Sequence, residues 1–201
     1  MSAALPADFY ARPVVDVARD LVGCVVRHGG GTGLIVETEA YHDSEPASHA
    51  FVGLTPRTET LFGPPGVAYV YRSYGIHALL NAVCEDERSG AAVLIRALEP
   101  LEGKGEMRAR RRRDRLEDLC SGPGKLTQAL GIELDLNGTS LVNGPVRIEA
   151  RAAAAPEILA GPRIGITRAT DLPWRFCAAG SRFVSRPWPS GLLAPLSRTV
   201  R

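Results

Sequence analysis

The sequence predicts an α+β fold: a single mixed α/β domain with a largely antiparallel, curved sheet flanked by helices. Three observations carry that reading. The chain has 201 residues, the size of one domain and enough to bury its own core. Its apolar and alternating runs come in pairs joined by turn residues, the mark of β-hairpins. Strand and helix signals do not alternate along the chain, as a doubly wound parallel sheet would require.

The elements follow in order. Residues 12–21 read as an amphipathic helix, with Val14, Val17, Ala18 and Leu21 at helical spacing and Gly23 as the stop. Residues 24–27 and 34–41 form a hairpin across the glycine-rich connection 28–33, and 67–72 and 76–84 form a second around Ser73, Tyr74 and Gly75. Residues 91–98 are apolar enough for a central strand. The chain then turns helical and basic over 99–119, and a further helix opens near Ser121 and closes over 128–132. Weaker strands follow at 146–150, 163–167 and 175–178. One domain is expected over 1–186, with the proline-rich 187–201 as a flexible tail.

Composition excludes several classes. No run approaches the roughly 18 apolar residues of a membrane span, and the N-terminus lacks a basic region followed by an apolar stretch; the expectation is a soluble, unexported chain. Cys24, Cys84, Cys120 and Cys177 form no C-x-x-C pair, so reduced thiols are expected rather than a disulfide framework or zinc ribbon. The histidines at 28, 42, 49 and 77 show no ligand spacing, and no metal is predicted. Net charge is +2, yet Lys104, Arg108, Arg110 to Arg113 and Arg115 crowd one segment against only Glu106 and Asp114. A phosphate-facing patch and a solvated helix face explain that run equally well. Ser121-Gly-Pro-Gly-Lys125 can hold phosphate at a helix start, but Leu119 and Leu126 stand where a Walker A loop needs Gly and Ser or Thr.

Two patterns could carry chemistry. Period-2 geometry in 34–41 puts Ile35, Glu37, Glu39 and Tyr41 on one face and Leu34, Val36, Thr38 and Ala40 on the other. Two carboxylates and an aromatic on one face mean either a solvated edge strand or a site, and neighbouring carboxylates can separate acid and base roles. The second hairpin gathers Tyr69, Tyr71 and Tyr74, three of the chain's five tyrosines. Tyr74 falls in the turn, where an aromatic either wedges between stacked bases or lies back on its own hairpin.

Several ordered runs resemble the alkyladenine (3-methyladenine) DNA glycosylase family, in its compact bacterial form. They are VETEAY at 36–41, ASHA at 47–50, TPR at 55–57, FGPPG at 62–66, YVYRSYG at 69–75, VLIRALEPLEG at 93–103 and LCSGPGKLTQALGI at 119–132. Weaker similarity reaches PRIGIT at 162 and PWRF at 173. The resemblance implies base-excision repair: an alkylated or deaminated purine is flipped from duplex DNA and its N-glycosidic bond hydrolysed, leaving an abasic site. It implies a catalytic group of Glu39 as general base, Arg96 holding the water, and the carbonyl of Ile164 as a further water ligand. Tyr41 and Tyr71 resemble the walls that sandwich the base, with His49 closing an edge and Asn81 opposing the exocyclic amino group of normal guanine. Tyr74 resembles the residue that fills the gap, flanked by Leu61 and Ile76 where mammalian members carry methionines. Arg57 and Lys125 would face phosphates.

No cofactor is implied, and the expected partner is damaged double-stranded DNA, met by a cytoplasmic monomer at the bacterial nucleoid. The resemblance assigns nothing to residues 104–118 and does not rank the lesions. For a general acid acting on neutral lesions, Glu37 and His49 are the candidates, and the supporting role of the one and a satisfied pocket position for the other are the simpler readings. The rivals are a DNA-binding protein without turnover, which would lack the Glu39–Arg96 pair, and an RNA-binding β-domain, which gives no reason for the tyrosines beside Glu39. Lys104 and Lys125 are the only lysines, and both have phosphate-binding readings, so a monofunctional hydrolase is expected.

Overall fold

The computed structural model describes residues 3–189. Over them run helices α1 (Ala7–Tyr10), α2 (Val14–Leu21), α3 (Lys104–Arg111) and α4 (Pro123–Leu130). The strands are β1 (Val25–His28), β2 (Gly31–Tyr41), β3 (Ala68–Ser73), β4 (His77–Val83), β5 (Ala92–Glu102), β6 (Arg147–Glu149), β7 (Ile158–Gly161) and β8 (Arg175–Ala178). Among these residues every strand pairing is antiparallel. The order is β3-β4-β5-β2-β1-β6, with β8 on β2 and β7 on β8. The α+β architecture with a curled antiparallel sheet is the one the sequence predicts.

Strand β2 is the branch point. Along one side it pairs with β5 over nearly its whole length. Along the other its first residues pair with β1 and its later ones, Glu37 to Glu39, pair with β8. The sheet divides there and curls around the residues at the fork.

Helix α2 buries Val14, Val17, Ala18 and Leu21, the stripe seen in the sequence, and the Glu85 carboxylate accepts from the Val14 N–H at 2.8 Å. An anion there satisfies an orphan donor and meets the positive end of the helix. These side chains join Leu126, Ala129 and Leu130 of α4 and Val36, Ala40, Val93 and Ile95 of the sheet in one core. A smaller cluster of Ala50, Leu61, Tyr69, Val83 and Ala92 lies apart from it.

Four local expectations change. The first hairpin turns at Gly29 and Gly30, both with positive φ, and Gly31 to Gly33 are already strand. Strand β5 continues through Pro100 to Glu102, where a helix was expected from residue 99. Proline is tolerated because Pro100 faces Gly33 at a register shift, where the regular ladder is already broken. The basic helix ends at Arg111, because Arg112 takes φ 51, a conformation that stops a helix. No strand forms at 163–167: Gly165 has φ +76, and the Arg163 guanidinium is bound to Glu45. The expected strands at 146–150 and 175–178 form as β6 and β8, and β7 at Ile158–Gly161 falls outside every expected segment. Residues 190–201 of the expected tail, and residues 1 and 2, lie outside the described residues.

Helix α4 sits close against the start of β4. A Cβ on Gly124 would lie 2.8 Å from Cγ and 2.9 Å from Cβ of His77, and the second of these cannot rotate away. Gly124→Ala should therefore destabilise the fold by about 1–3 kcal/mol, the usual cost of overpacking, measurable as a lower denaturation midpoint at unchanged m-value.

Candidate active site

The site is built on a break in the β2–β5 ladder. Pairing shifts on both sides of Glu37, so that Ile35 faces Leu98, Glu37 faces Ala97 and Thr38 faces Ile95, skipping Val36 and Arg96. Ile35 and Val36 consequently both enter the core, and the face expected for Ile35 passes to Glu37, Glu39 and Tyr41 alone. A bulge of this kind re-aims side chains beside a site. Here it brings Arg96 of β5 between the two carboxylates of β2.

Arg96 donates from Nε to Glu37 Oε1 and from Nη1 to Glu39 Oε2, each at 3.1 Å. Glu37 is wholly buried and also accepts from Arg175 Nε at 2.7 Å, the Ser185 N–H at 2.7 Å and Ser185 Oγ at 2.9 Å. Glu39, equally buried, accepts on Oε2 from the Tyr41 hydroxyl at 2.8 Å and on Oε1 from the Ile164 N–H at 2.7 Å. Burial pushes the Glu39 carboxyl above the ordinary carboxylate range, against the lowering influence of Arg96, the Ile164 amide and Tyr41.

The three donors to Glu39 all line one cavity of about 580 Å³. Tyr71 and His49 share it, ring to ring at 4.6 Å and 76°, and Tyr69 stacks on Tyr71 at 5.2 Å and 22°. Burial raises the Tyr71 hydroxyl to about 12. Burial, aided by Arg57, lowers the pKa of His49 and leaves it neutral at pH 7. Asn81 uses Nδ2 to bond the carbonyls of Tyr69 and Leu79, at 3.0 and 3.4 Å, which turns its amide oxygen away from them.

The hairpin tip stands at the mouth of the cavity. Ile76 N–H bonds the Ser73 carbonyl at 3.2 Å, and Tyr74 and Gly75 between them have φ of 49° and 74°, as a type I′ turn requires. Tyr74 is 90% exposed and Ile76 73%. Arg57 and Lys125 line the same opening, Lys125 Nζ reaching Ser121 Oγ at 3.5 Å.

Of the residues singled out in the sequence, Tyr41, His49, Arg57, Leu61, Tyr71, Tyr74, Asn81, Arg96, Lys125 and Ile164 line this one cavity. Glu39 lies directly behind it. Ile76 is at the hairpin tip but lines a neighbouring groove, and Leu61 is a buried wall residue rather than an exposed flank. Ile164 meets Glu39 through its N–H. Sequence reasoning gave no role to Arg175, Ser185, Arg163 and Glu45, which hold the carboxylates and Tyr41 from behind; the visible signals were the place of Arg163 in PRIGIT and of Arg175 in PWRF. It also missed Arg111 at the cavity wall. Within the basic run, Arg110 and Arg111 turn inward onto the Ala129 and Leu119 carbonyls, at 3.0 and 3.1 Å.

The geometry sets a strand-borne carboxylate behind an aromatic-lined cavity, with an exposed aromatic at its mouth. A family model described as methylpurine-DNA glycosylase matches residues 8–182. A Rhodopseudomonas palustris protein provisionally named a 3-methyladenine DNA glycosylase is 57% identical, covering 90% of this chain and 87% of its own. Proteins of the same provisional name from Bradyrhizobium diazoefficiens and Methanoculleus marisnigri are 54% and 52% identical, with 90% of this chain and 90% and 98% of theirs covered. The chain belongs to the methylpurine-DNA glycosylase family and is thus a DNA-repair glycosylase, a hydrolase acting on DNA. Among the described residues no helix is long and apolar enough to cross a membrane.

Removing Glu37 would leave the buried Arg175 without a carboxylate partner and Arg96 with Glu39 alone. Glu37→Ala should cost about 3–5 kcal/mol, as for breaking a buried charge pair, read as a fall in the denaturation midpoint.

Proposed function

We propose that this glycosylase turns a damaged purine nucleotide out of duplex DNA into the cavity and hydrolyses its N-glycosidic bond with water activated by Glu39. One observation carries the reading: Glu39 is fixed by three donors and still has an acceptor position to spare. A carboxylate offers about four lone-pair sites. Arg96 and Tyr41 take two on Oε2 and the Ile164 amide takes one on Oε1. No surface of Glu39 is open in this fold, so a water would reach the lone pair left on Oε1 as the cavity wall gives on substrate binding, with the Ile164 carbonyl as the second ligand that the family resemblance implies.

The rest of the cavity fits the remaining steps. Flipping costs a few kcal/mol, least for a damaged or mispaired base, and Tyr74 would occupy the vacated space with Ile76 beside it. Tyr41 and Tyr71 would stack on the base, their faces favouring a cationic alkylated purine by about 0.5–2 kcal/mol. His49 and Asn81 would close its edges, Asn81 held where the amino group of normal guanine needs room. Arg57 and Lys125 would meet phosphates near the opening. As the base departs, an ionised Glu39 stabilises the oxocarbenium-like sugar and directs the water at it. Glu37 accepts four bonds from Arg96, Arg175 and Ser185, so it holds the site together, and a neutral His49 is a poor proton donor. This favours lesions that already carry charge, with deaminated purines as slower substrates. The protein would act as a monomer on chromosomal DNA, and an intact Glu39–Arg96 pair speaks for turnover over mere binding.

Single-turnover release of purine from alkylated duplex DNA tests the base. Glu39→Gln should keep lesion binding and lose at least about 100-fold in rate, the low end of general-base contributions; undiminished turnover would end the assignment. Protonated Glu39 cannot take a proton from water, so the wild-type rate should fall on the acid side at a pH above the ordinary carboxylate pKa. Borohydride should trap no covalent protein–DNA adduct, since neither lysine is expected to form a Schiff base; a trapped adduct would overturn the monofunctional reading.

A further inference from the structure

Behind Tyr41 lies a second buried ion pair that none of the roles above requires. Arg163 Nη1 and Nη2 grip Glu45 Oε1 and Oε2 at 2.7 and 2.9 Å, with the Arg163 side chain fully buried and that of Glu45 6% exposed. Nη1 also donates to the Ala40 carbonyl at 2.9 Å. The guanidinium carbon stands 4.6 Å from the centroid of the Tyr41 ring and 5.4 Å from that of Trp174. Its Nε is buried with no hydrogen-bond partner, so on that side the cation is met by packing and the two rings rather than by an acceptor.

This pair joins parts of the site that no ladder joins. Residues 163–166 form no helix or strand, yet Ile164, next to Arg163, gives Glu39 its amide bond. Glu45 Oε2 also accepts from the Ala47 N–H at 2.8 Å, and Ala47, Ser48 and His49 are the wall across the cavity. Tyr41, covered on one face by Arg163, gives Glu39 its hydroxyl bond. Two of the three bonds that aim Glu39 therefore depend on where Arg163 sits.

We propose that Arg163, locked by the two-pronged bond to Glu45, is a positioning residue for the reaction: it presses Tyr41 into place as a one-sided stacking wall and sets the Ile164 amide, so that both hold Glu39 in its working geometry. The proposal rests on the reading of Glu39 as general base and Tyr41 as base wall. Lysine offers a point charge instead of a planar fork and would not replace it.

The test is a series of Arg163→Met, Arg163→Lys, Tyr41→Phe, the Tyr41→Phe/Arg163→Met pair, and Glu39→Gln as reference. Because Arg163→Met alone leaves a buried Glu45 unpaired, Arg163→Met/Glu45→Gln is made as well, so that no uncompensated charge remains to unfold the protein. In folded Arg163→Met/Glu45→Gln, the single-turnover rate should fall about 10- to 100-fold, more than lesion affinity falls, with no rescue in Arg163→Lys. The groups facing Glu39 are Arg96 from β5, Glu37 and Tyr41 from β2, and the Ile164 amide. Losing the hold on the last two weakens bonds that favour the carboxylate, so the acid limb of the rate profile should move up by roughly one pH unit. Tyr41→Phe should cost less in a background already lacking Arg163 than it does alone, since Arg163 acts in part through the same hydroxyl bond. A folded variant without Arg163 that keeps the wild-type rate and acid limb, beside an inactive Glu39→Gln, would overturn the proposal while sparing the base assignment. An active Glu39→Gln would remove the reading beneath both.

Discussion

Two carboxylates in the middle of a buried strand are the constraint on which the structure turns. Glu37 and Glu39 have no exposed surface, and an ionised carboxylate taken out of water costs several kcal/mol unless charges and donors surround it. The chain meets this with Arg96 between the pair, Arg175 and Ser185 on Glu37, and Tyr41 and the Ile164 amide on Glu39. Apart from Tyr41, which lies on β2 itself, each partner comes from a different stretch of sequence: β5, β8, the segment after β8 and the segment after β7. Satisfying two charges thereby specifies how β2, β5 and β8 meet, and why the sheet forks at the point where it does.

The two carboxylates divide one environment unequally. Glu37 takes donors on both oxygens from three residues. Glu39 takes three bonds and is left with spare capacity beside a cavity. Its raised pKa follows from burial winning over Arg96, the amide and the hydroxyl. A more basic carboxylate is a better acceptor of a proton from water, provided it is ionised at working pH. Arg96 therefore acts in two directions: it favours the ionised form of Glu39 and ties its orientation to Glu37, whose strand is paired on both sides.

What was legible in the sequence follows from whether the cause is local. The Tyr74 hairpin could be read because turn residues and flanking strands lie within one short segment. Helix α2 could be read from its apolar stripe. The glutamate face could be seen but not interpreted, because period-2 geometry describes a solvated strand and an active-site strand alike, and because the shift at Glu37 depends on Arg96, far away in sequence. The extension of β5 through Pro100 was hidden for the same reason: it is permitted by a ladder break at Gly33. The basic run read as one feature, yet Arg110 and Arg111 serve carbonyl ends while Arg112 ends the helix. Ordered motifs gave roles to most residues around the cavity; PRIGIT and PWRF contain Arg163 and Arg175 but gave them none, and Glu45 and Ser185 lie outside every run, because these four hold other residues and their partners are brought near only by folding.

Tyr74 shows the opposite balance from Glu37. Its φ of 49° is a conformation that costs a residue with a side chain about 1–2 kcal/mol, and glycine or asparagine would hold the same turn with less strain. Its ring is 90% exposed, so packing within the chain returns almost none of that cost. The residue makes folding less favourable on both counts, whereas Glu37 is held by every contact it makes. A strained, unpacked aromatic at the mouth of an aromatic cavity calls for a contact made outside the folded chain, and under the proposed function an unstacked step in duplex DNA offers the flat apolar surfaces that such a ring would cover.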